Sequence, residues 1–246
     1  MTNVSANSQA TRLRISNFQL RRPDGRVMFD ELSAKLGAGE LMVIQGPNGV
    51  GKSSLLRAIL GLWPHSSGKI DLSVSFDDDG IAYLPQQGQL QFFLPLTLGE
   101  VVELGAGSPR ATKEILSKEF WNVQWDSASG GERQKALLTR IFRSPAALLI
   151  LDEPFNHLDH ESAQALWGEM IASLQRGASV LLVAHGEEQR IPNELRERFP
   201  VKLLRLQGRN AAAASLRIVE GSLANQGADQ AGQQVGDPLS SEASRE

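Results

Sequence analysis

A loop of nine residues, GPNGVGKSS, carries the strongest chemical signal in the sequence. It lies between an apolar run, 41–44, and a helical pattern, 53–62, and it matches G-x-x-x-x-G-K-[ST]. Glycines let successive backbone N–H groups turn toward phosphate oxygens, and the positive end of the following helix attracts the same oxygens. The pattern predicts a nucleotide site rather than a flexible turn with an incidental lysine. The predicted binding residues are Gly46, Pro47, Asn48, Gly49, Val50, Gly51, Lys52, Ser53 and Ser54.

Four side chains could act on a bound nucleoside triphosphate. Lys52 can reach the β- and γ-phosphates, and the Ser53 hydroxyl can ligate Mg²⁺. The stretch ALLILDEP (147–154) ends an apolar run with Asp152 and Glu153. A strand end beside a phosphate loop is where Mg²⁺ needs a carboxylate, which suits Asp152, and Glu153 can then orient and polarise an attacking water. The alternative for this acidic pair is a plain polar cap or turn.

A second glycine stretch, Ser129, Gly130 and Gly131, opens another helical pattern but lacks the lysine of a phosphate loop. A hydroxyl and two glycine N–H groups at the positive end of a helix suit a phosphate. Taken alone, however, the stretch favours a helix cap followed by a glycine turn.

The ordered set of motifs resembles the nucleotide-binding subunit of ATP-binding cassette (ABC) transporters, over about residues 12–210. GPNGVGKSS is similar to the family's Walker A loop, YLPQQ to its Q-loop, and ASGGE (128–132) to its LSGGQ signature. LLILDEP is similar to its Walker B strand, NHLD (156–159) to its D-loop, and LLVAH to the strand that ends in its switch histidine. Six matches in the family's order make the resemblance specific.

The resemblance implies roles for further residues. The signature residues Ser129, Gly130 and Gly131 would cap ATP held by a second cassette in a head-to-tail dimer, homodimeric or heterodimeric. Gln86 would contact Mg²⁺ and the attacking water, with Gln87 as the alternative glutamine. His185 would sense the γ-phosphate, although a lone histidine that ends an apolar strand is more often a core residue. The implied cofactors are ATP and Mg²⁺.

The sequence departs from the family pattern at two places. The signature has Ala128 for leucine and Glu132 for glutamine, and the extra negative charge of Glu132 lies close to the expected phosphate. The family also places an aromatic ring against adenine, whereas Arg21 or Arg22 stands near that place in FQLRRPDGR. We therefore expect loose cover of the base and weak discrimination between ATP and GTP.

Short apolar runs alternate with helical patterns, which predicts an α/β fold with a mostly parallel sheet. Continuous apolar strands such as 147–151 and 180–184 require a sheet covered on both faces. Helices are expected at 53–62, 97–104, 111–121 and 130–143, and around Leu166 to Leu174, and VKLLRL and SLRIVE are expected to form a closing hairpin. The fold implied is a P-loop NTPase cassette of the ABC type with additional antiparallel β strands.

The domain boundaries follow from composition. Residues 1–10 are predicted to be a loose arm, 11–220 the ATPase domain and 221–246 a disordered tail rich in Gln, Gly, Ala and Ser. A compact helical subdomain is expected at about 88–143. No apolar run approaches the ~20 residues that cross a membrane, and no secretory signal is visible, so membrane association is expected only through a partner.

Two function classes remain. The first is the ATP-hydrolysing subunit of an ABC transporter, bound through about residues 86–120 to a separate transmembrane permease on the cytoplasmic face of the inner or plasma membrane. The second is a soluble ABC ATPase that acts on nucleic acid or ribosomes, in which NHLD is also common. A net charge of −3 disfavours nucleic acid as a partner. Segments 92–105 and 53–64 resemble cassettes with different substrates, so the substrate stays open.

Overall fold

The computed structural model describes residues 10–64, 66–75, 80–86, 95–104, 115–184, 191–206 and 217–220. These residues form a six-stranded sheet, a separate three-stranded sheet and five α-helices. The α/β class and the mostly parallel sheet that the sequence predicts are confirmed.

The six-stranded sheet brings the chemical motifs to one edge. Its strands are β3 (Leu41–Gln45), β5 (Ile81–Leu84), β6 (Leu148–Asp152), β7 (Ser179–Val183), β8 (Val201–Arg205) and β9 (Arg217–Glu220), in the spatial order β5-β6-β7-β3-β8-β9. All neighbours are parallel except β8 and β9, which pair antiparallel as the predicted hairpin. Because β3, β5 and β6 run the same way, the loops after their carboxyl ends lie on the same side.

A second, antiparallel sheet consists of β1 (Thr11–Arg21), β2 (Val27–Gly37) and β4 (Ser66–Leu72), in the order β2-β1-β4. Its first strand buries Leu13, Ile15, Phe18 and Leu20, an alternation that is interrupted at Ser16 and Asn17 where the register shifts, as expected of a sheet with one face toward the core. The turn between β1 and β2 contains the RRPDGR stretch, whose Arg22 N–H donates to the Arg26 carbonyl at 2.8 Å.

Three of the five described helices begin at a residue whose side chain caps them. The five are α1 (Lys52–Ile59), α2 (Leu98–Glu103), α3 (Gly130–Arg143), α4 (His160–Gln175) and α5 (Asn193–Arg198). Thr97 and Ser129 form reciprocal capping boxes with glutamates three residues later, and the Asp159 side chain accepts the Ser162 N–H. Each cap satisfies N–H groups that the first helical turn leaves without partners.

Two apolar cores cover the parallel sheet, one on each face. Successive strand residues point to opposite faces, so Val43 and Leu149 join the core with α3 and α4, whereas Ile44 and Ile150 join the core with α1 and the three-stranded sheet. This double cover explains why β6 and β7 are buried at every position and are apolar except for Asp152 at the end of β6 and Ser179 at the start of β7.

One predicted helix is wrong. The stretch 111–121 contains a 3₁₀ turn, Lys118–Phe120, and a bend at 115–116 instead of an α-helix, and residues 111–114 lie outside the described residues. Ile115 and Leu116 are buried against the core of α3, and the Leu116 N–H donates to the Thr139 hydroxyl at 3.1 Å. Tertiary contacts therefore override the local helical pattern. The predicted arm and tail, except Ala10, also lie outside the described residues.

A half-buried ion pair fastens the two sheets together. The Glu40 carboxylate accepts the Gly37 N–H at 2.6 Å and the Lys202 ammonium at 2.8 Å. Lys202 lies on β8 of the six-stranded sheet and also donates to the Lys35 carbonyl on β2 at 2.9 Å. The Lys202 side chain is only 18% exposed and that of Glu40 only 16%. Removing one of them would therefore leave the other as a largely buried charge without its partner.

Lys202→Met tests the contribution of this contact. The methionine keeps most of the side-chain length but leaves the Glu40 charge unpaired, so we expect the free energy of unfolding to fall by about 2–3 kcal/mol. Lys69→Met is the matched control, because its ion pair with Asp71 is 72% and 43% exposed and such pairs contribute under about 1 kcal/mol. Denaturant unfolding of both variants measures the difference, and equal losses would contradict a structural role for Lys202.

Candidate nucleotide-binding and catalytic site

The phosphate loop has a backbone that only glycine permits at two positions. Gly51 has a φ of 113°, and a Cβ atom there would lie 2.7 Å from the Cε of Met28. A Cβ atom on Gly46 would lie 2.5 Å from the Leu206 carbonyl oxygen. The loop therefore packs closely against β2 and the residue that follows β8, and a larger residue at either glycine would displace it.

Lys52 lies at the start of α1 and is held over this loop. Its Nζ donates to the Gly46 carbonyl at 2.9 Å and to the Pro47 carbonyl at 3.1 Å. Burial lowers the pKa of Lys52, and the charges of Glu153 and Asp152 oppose that effect. The ammonium is thus desolvated and oriented inside the loop that is predicted to hold phosphates.

Asp152 is the last residue of β6 and is 1% exposed. Within the part of the chain that the structure describes, neither of its carboxylate oxygens has a partner at full hydrogen-bond geometry. Burial raises the pKa of Asp152, while the Ser53 hydroxyl and the charge of Lys52 lower it. A buried carboxylate usually has partners, so this exception indicates a group that another ligand completes.

The residues around Asp152 fit Mg²⁺. A carboxylate and a serine hydroxyl are hard oxygen donors, and Mg²⁺ bound with a nucleotide usually takes only one or two protein ligands beside phosphates and waters. Over the described ranges, no three His, Cys, Asp or Glu side chains gather into a metal cluster. Asp152 and Ser53 therefore suit a metal ion that binds together with phosphates, rather than one that protein side chains coordinate alone.

Glu153 is turned away from the strand that Asp152 completes. Its φ of 52° places it in the left-handed region, and its N–H donates to the Val183 carbonyl at 3.1 Å. Its Oε2 accepts two side-chain amides, Gln86 Nε2 at 3.1 Å and Asn156 Nδ2 at 2.9 Å. Such backbone strain in a non-glycine residue is concentrated at functional sites, and here it accompanies the turn at the strand end.

A cavity of about 560 Å³ joins these groups. It is open enough to admit a ligand from solvent and is of the size of small-molecule sites. The residues that line it are Met28, Asn48, Gly49, Gly51, Lys52, Ser53, Ser54, Gln86, Glu153 and Asn156.

Most of the predicted nucleotide-site residues meet at this cavity, but not all of them line it. The Gly46 and Pro47 carbonyls accept the hydrogen bonds of the Lys52 ammonium, and Val50 packs on the apolar core next to α1. Asp152 lies at the end of β6 beneath Glu153. Two of the predicted residues, His185 and the alternative glutamine Gln87, lie outside the described residues. Their roles stay predictions, as do those of the cavity residues.

Two lining residues were missed by the sequence argument. Asn156 could have been found, since it follows Glu153 by three residues within the D-loop and so can turn back toward it. Met28 had no local signal, because it reaches the loop only through the packing of β2 over Gly51.

Neither arginine expected near adenine lines the cavity. The Arg21 guanidinium donates to the Gln19 side chain at 2.7 Å and to the Gly25 carbonyl at 3.3 Å. The Arg21 carbonyl in turn accepts the Trp63 indole N–H at 2.9 Å. The hypothesis that Arg21 or Arg22 covers the base stays untested, and Met28 is the apolar side chain that the cavity does present.

The signature stretch lies outside the lining of the cavity that contains Lys52. Ser129 caps α3: its Oγ accepts the Glu132 N–H at 3.3 Å, and its own N–H donates to the Glu132 carboxylate at 2.6 Å. These bonds lower the pKa of Glu132 and keep it charged. The helix-cap alternative is thus correct as a local description. It is compatible with phosphate binding, because the Ser129 hydroxyl can still donate its own proton.

Helix α3 also braces the D-loop. Lys135 pairs with Asp159 at 2.5 Å, and the buried Gln134 amide donates to the Pro154 carbonyl at 3.1 Å. A Cβ atom on Gly131 would lie 3.0 Å from the His157 carbonyl oxygen, so the two loops are in direct contact. The signature helix, the D-loop and the strand end at Glu153 are therefore one connected unit.

Comparison with known proteins agrees with this architecture. Residues 29–156 match the family model described as ABC transporter. Zinc import ATP-binding protein ZnuC of Magnetococcus marinus is 32% identical over 168 residues, 65% of this chain and 63% of that protein. ZnuC of Yersinia pestis is 34% identical over 167 residues, 65% and 64% of the two chains. The chain thus spans less than two thirds of the length of these zinc import relatives.

Another relative has a different stated role. Cytochrome c biogenesis ATP-binding export protein CcmA of Zymomonas mobilis is 36% identical over 169 residues, 65% of this chain and 72% of that protein. Among solved structures, an ATP-binding subunit of an ABC transporter matches with a TM-score of 0.67 at 23% identity, over 85% of this chain and 90% of that one. A metal-chelate type ABC transporter matches with a TM-score of 0.64 at 22% identity, over 85% and 83%.

The solved structures share only the fold, because their identity to this chain is low. The family model covers just over half of this sequence and includes the phosphate loop, Gln86, the signature and the acidic pair. The chain belongs to the ABC transporter family.

Proposed function

We propose that this chain is an ATP-binding and ATP-hydrolysing subunit that powers transport through a separate transmembrane permease. The observation that carries the proposal is the convergence on one cavity of a phosphate loop with its lysine, Lys52, and a carboxylate held by two amides, Glu153. A phosphate-binding loop alone would serve a nucleotide sensor. The oriented carboxylate adds the group that hydrolysis needs.

The phosphates would be held by the phosphate loop. Its backbone N–H groups and the N-terminus of α1 would donate to phosphate oxygens, and Lys52 would supply a desolvated positive charge. Asp152 and Ser53 would hold Mg²⁺, with Gln86 as the third predicted ligand, and the metal would supply neutralisation of the phosphate charge. The chain itself would position the phosphates and the metal before the reaction begins. Such positioning is a large part of how proteins catalyse phosphoryl transfer.

Glu153 is proposed as the general base. Its carboxylate can accept a proton from the attacking water, and its Oε2 is already fixed by the amides of Gln86 and Asn156. His185, the predicted γ-phosphate sensor, follows β7, which lies between β6 and β3 in the sheet. Its place in the sequence supports a position beside the nucleotide.

Base recognition is proposed to be weak. Met28 offers a polarizable thioether that can pack against a purine, but an apolar contact reads no pattern of donors and acceptors. The phosphates, which ATP and GTP share, would then provide most of the affinity.

A second cassette would complete the site. Ser129, Gly130 and Gly131 are absent from the lining of the chain's own cavity, and they stand at the start of α3, where the positive end of a helix attracts an anion. We propose that they contact the nucleotide of a second copy or of a related cassette, head-to-tail. The Glu132 charge would weaken this contact relative to a neutral residue.

The relatives support a transport role. One relative is a zinc import protein and another is a cytochrome c biogenesis export protein, at similar identity to this chain. We therefore propose that the permease rather than this chain selects what is moved. Among the residues that the structure describes, no helix is both long and apolar enough to cross a membrane. We propose peripheral attachment to the cytoplasmic face, through the permease, with contacts from about residues 86–120.

Purification from membranes tests the transport assignment. The tagged chain should be recovered from the membrane fraction in mild detergent together with a polytopic membrane protein in a fixed ratio, and mass spectrometry identifies that partner. Tagged chain carrying no membrane protein, and recovered instead with ribosomes or nucleic acid, would replace the transport assignment with the second function class.

Glu153→Gln tests the chemistry. The amide has nearly the same shape but cannot accept the proton of water, so we expect ATP affinity to stay unchanged and turnover to fall by at least about a hundredfold, the lower end of general-base contributions. Lys52→Ala is the contrasting variant and should weaken nucleotide binding itself. Steady-state hydrolysis and equilibrium nucleotide titration separate the two effects. A Glu153→Gln protein that keeps most of its turnover would refute the assignment of the base.

A further inference from the structure

The D-loop contributes a side chain directly to the catalytic carboxylate of its own chain. Asn156 lines the nucleotide cavity, and its Nδ2 donates to Glu153 Oε2 at 2.9 Å, a shorter contact than the 3.1 Å bond from Gln86. The Asn156 N–H also faces the Glu153 carbonyl at 3.3 Å. Asn156 therefore contacts both the backbone and the side chain of the proposed base.

We propose that Asn156 is a positioning residue that holds the Glu153 carboxylate in its productive orientation and links that orientation to the D-loop. The proposal rests on the role given to Glu153 above. Both amides donate to the same oxygen from different elements, Gln86 from the end of β5 and Asn156 from the loop after β6. Two donors on one carboxylate oxygen restrict its rotation more than either donor alone.

The position of Asn156 is itself fixed. Pro154 before it is held by the buried Gln134 of α3 at 3.1 Å, and Asp159 after it is paired with Lys135 of α3. Asp159 also caps α4 by accepting the Ser162 N–H at 2.8 Å. The loop that carries Asn156 is thus anchored at both ends to packed helices, which makes its amide a fixed rather than an adaptable donor.

The arrangement has a consequence for coupling within one chain. Helix α3 begins at Gly130 with Ser129 as its cap, and Gly131 lies so close to the D-loop that an added Cβ atom would be 3.0 Å from the His157 carbonyl oxygen. A displacement of the signature helix would therefore move the D-loop, and with it the amide on Glu153. Through this contact, movement of the signature helix can change the position of Glu153 in the same chain without touching the nucleotide that the chain binds.

A purely local role for Asn156, stabilising the turn after the strand, is the competing explanation. A turn-stabilising residue would change the stability of the protein and leave kcat unaffected once the protein is folded. A residue that contacts nucleotide would change the Kd for ATP. A positioning residue changes kcat alone, because the carboxylate is misplaced in the transition state while nucleotide binding is intact.

The test compares Asn156→Ala and Asn156→Asp with the unmodified full chain. Alanine removes the donor, and aspartate keeps the shape but places a like charge against Glu153. A misplacement of 1 Å can cost about a hundredfold in rate, and Gln86 still holds the carboxylate when Asn156 is removed. We therefore expect kcat for ATP hydrolysis to fall about tenfold in the alanine variant and at least as far in the aspartate variant. KM and the Kd for ATP should stay within about twofold. Asn193→Ala, at an exposed asparagine on α5, is the control and should retain full activity.

A double variant shows whether Asn156 acts through Glu153. In a Glu153→Gln background, whose residual turnover is followed with radiolabelled ATP over hours, Asn156→Ala should cause no further loss. An equal tenfold loss in both backgrounds would overturn the proposal, as would unchanged kcat in both single variants or a Kd that rises in parallel with the loss of kcat. If Glu153→Gln alone kept most of the turnover, the proposed base would be refuted separately, whatever Asn156 does. Thermal unfolding of each variant shows whether it folds. If the alanine variant does not fold, the kcat of the aspartate variant, which keeps the shape of asparagine, decides the outcome.

Discussion

A buried carboxylate with unfilled hydrogen-bonding capacity is the feature around which the site is arranged. Asp152 lies at the end of a strand that is buried at every position, and no described side chain satisfies its oxygens at full hydrogen-bond geometry. Leaving a buried polar group unsatisfied typically costs about 1–3 kcal/mol, and more for a charge. The Ser53 hydroxyl and the charge of Lys52 offset part of this cost because both favour the ionised carboxylate. We propose that a nucleotide-bound cation satisfies the remaining capacity of Asp152.

The parallel sheet makes this arrangement possible. Strand β6 leads into the acidic pair and β3 leads into the phosphate loop, with only β7 between the two strands, so both motifs reach the same edge of the sheet. The left-handed backbone of Glu153 then separates two adjacent acids, one buried below the site and one facing the cavity. Because the backbone turns at Glu153, the two neighbouring acids can take different chemical roles. The Gln86 and Asn156 amides keep the Glu153 carboxylate in place.

The sequence predicted the fold and most of the cavity because both depend on local signals. Apolar runs between turns specified β3, β6 and β7, and the glycines of the phosphate loop specified its backbone. The errors occur where distant packing decides. Ile115 and Leu116 have a helical pattern but are buried as an irregular segment against α3, and Met28 reaches the cavity only because β2 crosses over Gly51. Glu132, which the sequence suggested only as an unfavourable charge, also caps the helix through Ser129.

We propose that the two halves of the active site come from two cassettes, since Lys52 lines the cavity and Ser129 does not. The most direct test is complementation. Lys52→Ala lacks a working phosphate loop and Ser129→Arg lacks a working signature, so each variant alone should be inactive. Mixed in equal amounts, they should form heterodimers with one complete composite site and recover ATP hydrolysis well above the sum of the separate rates. Full activity of Ser129→Arg alone, or a mixture as inactive as its parts, would contradict a shared site.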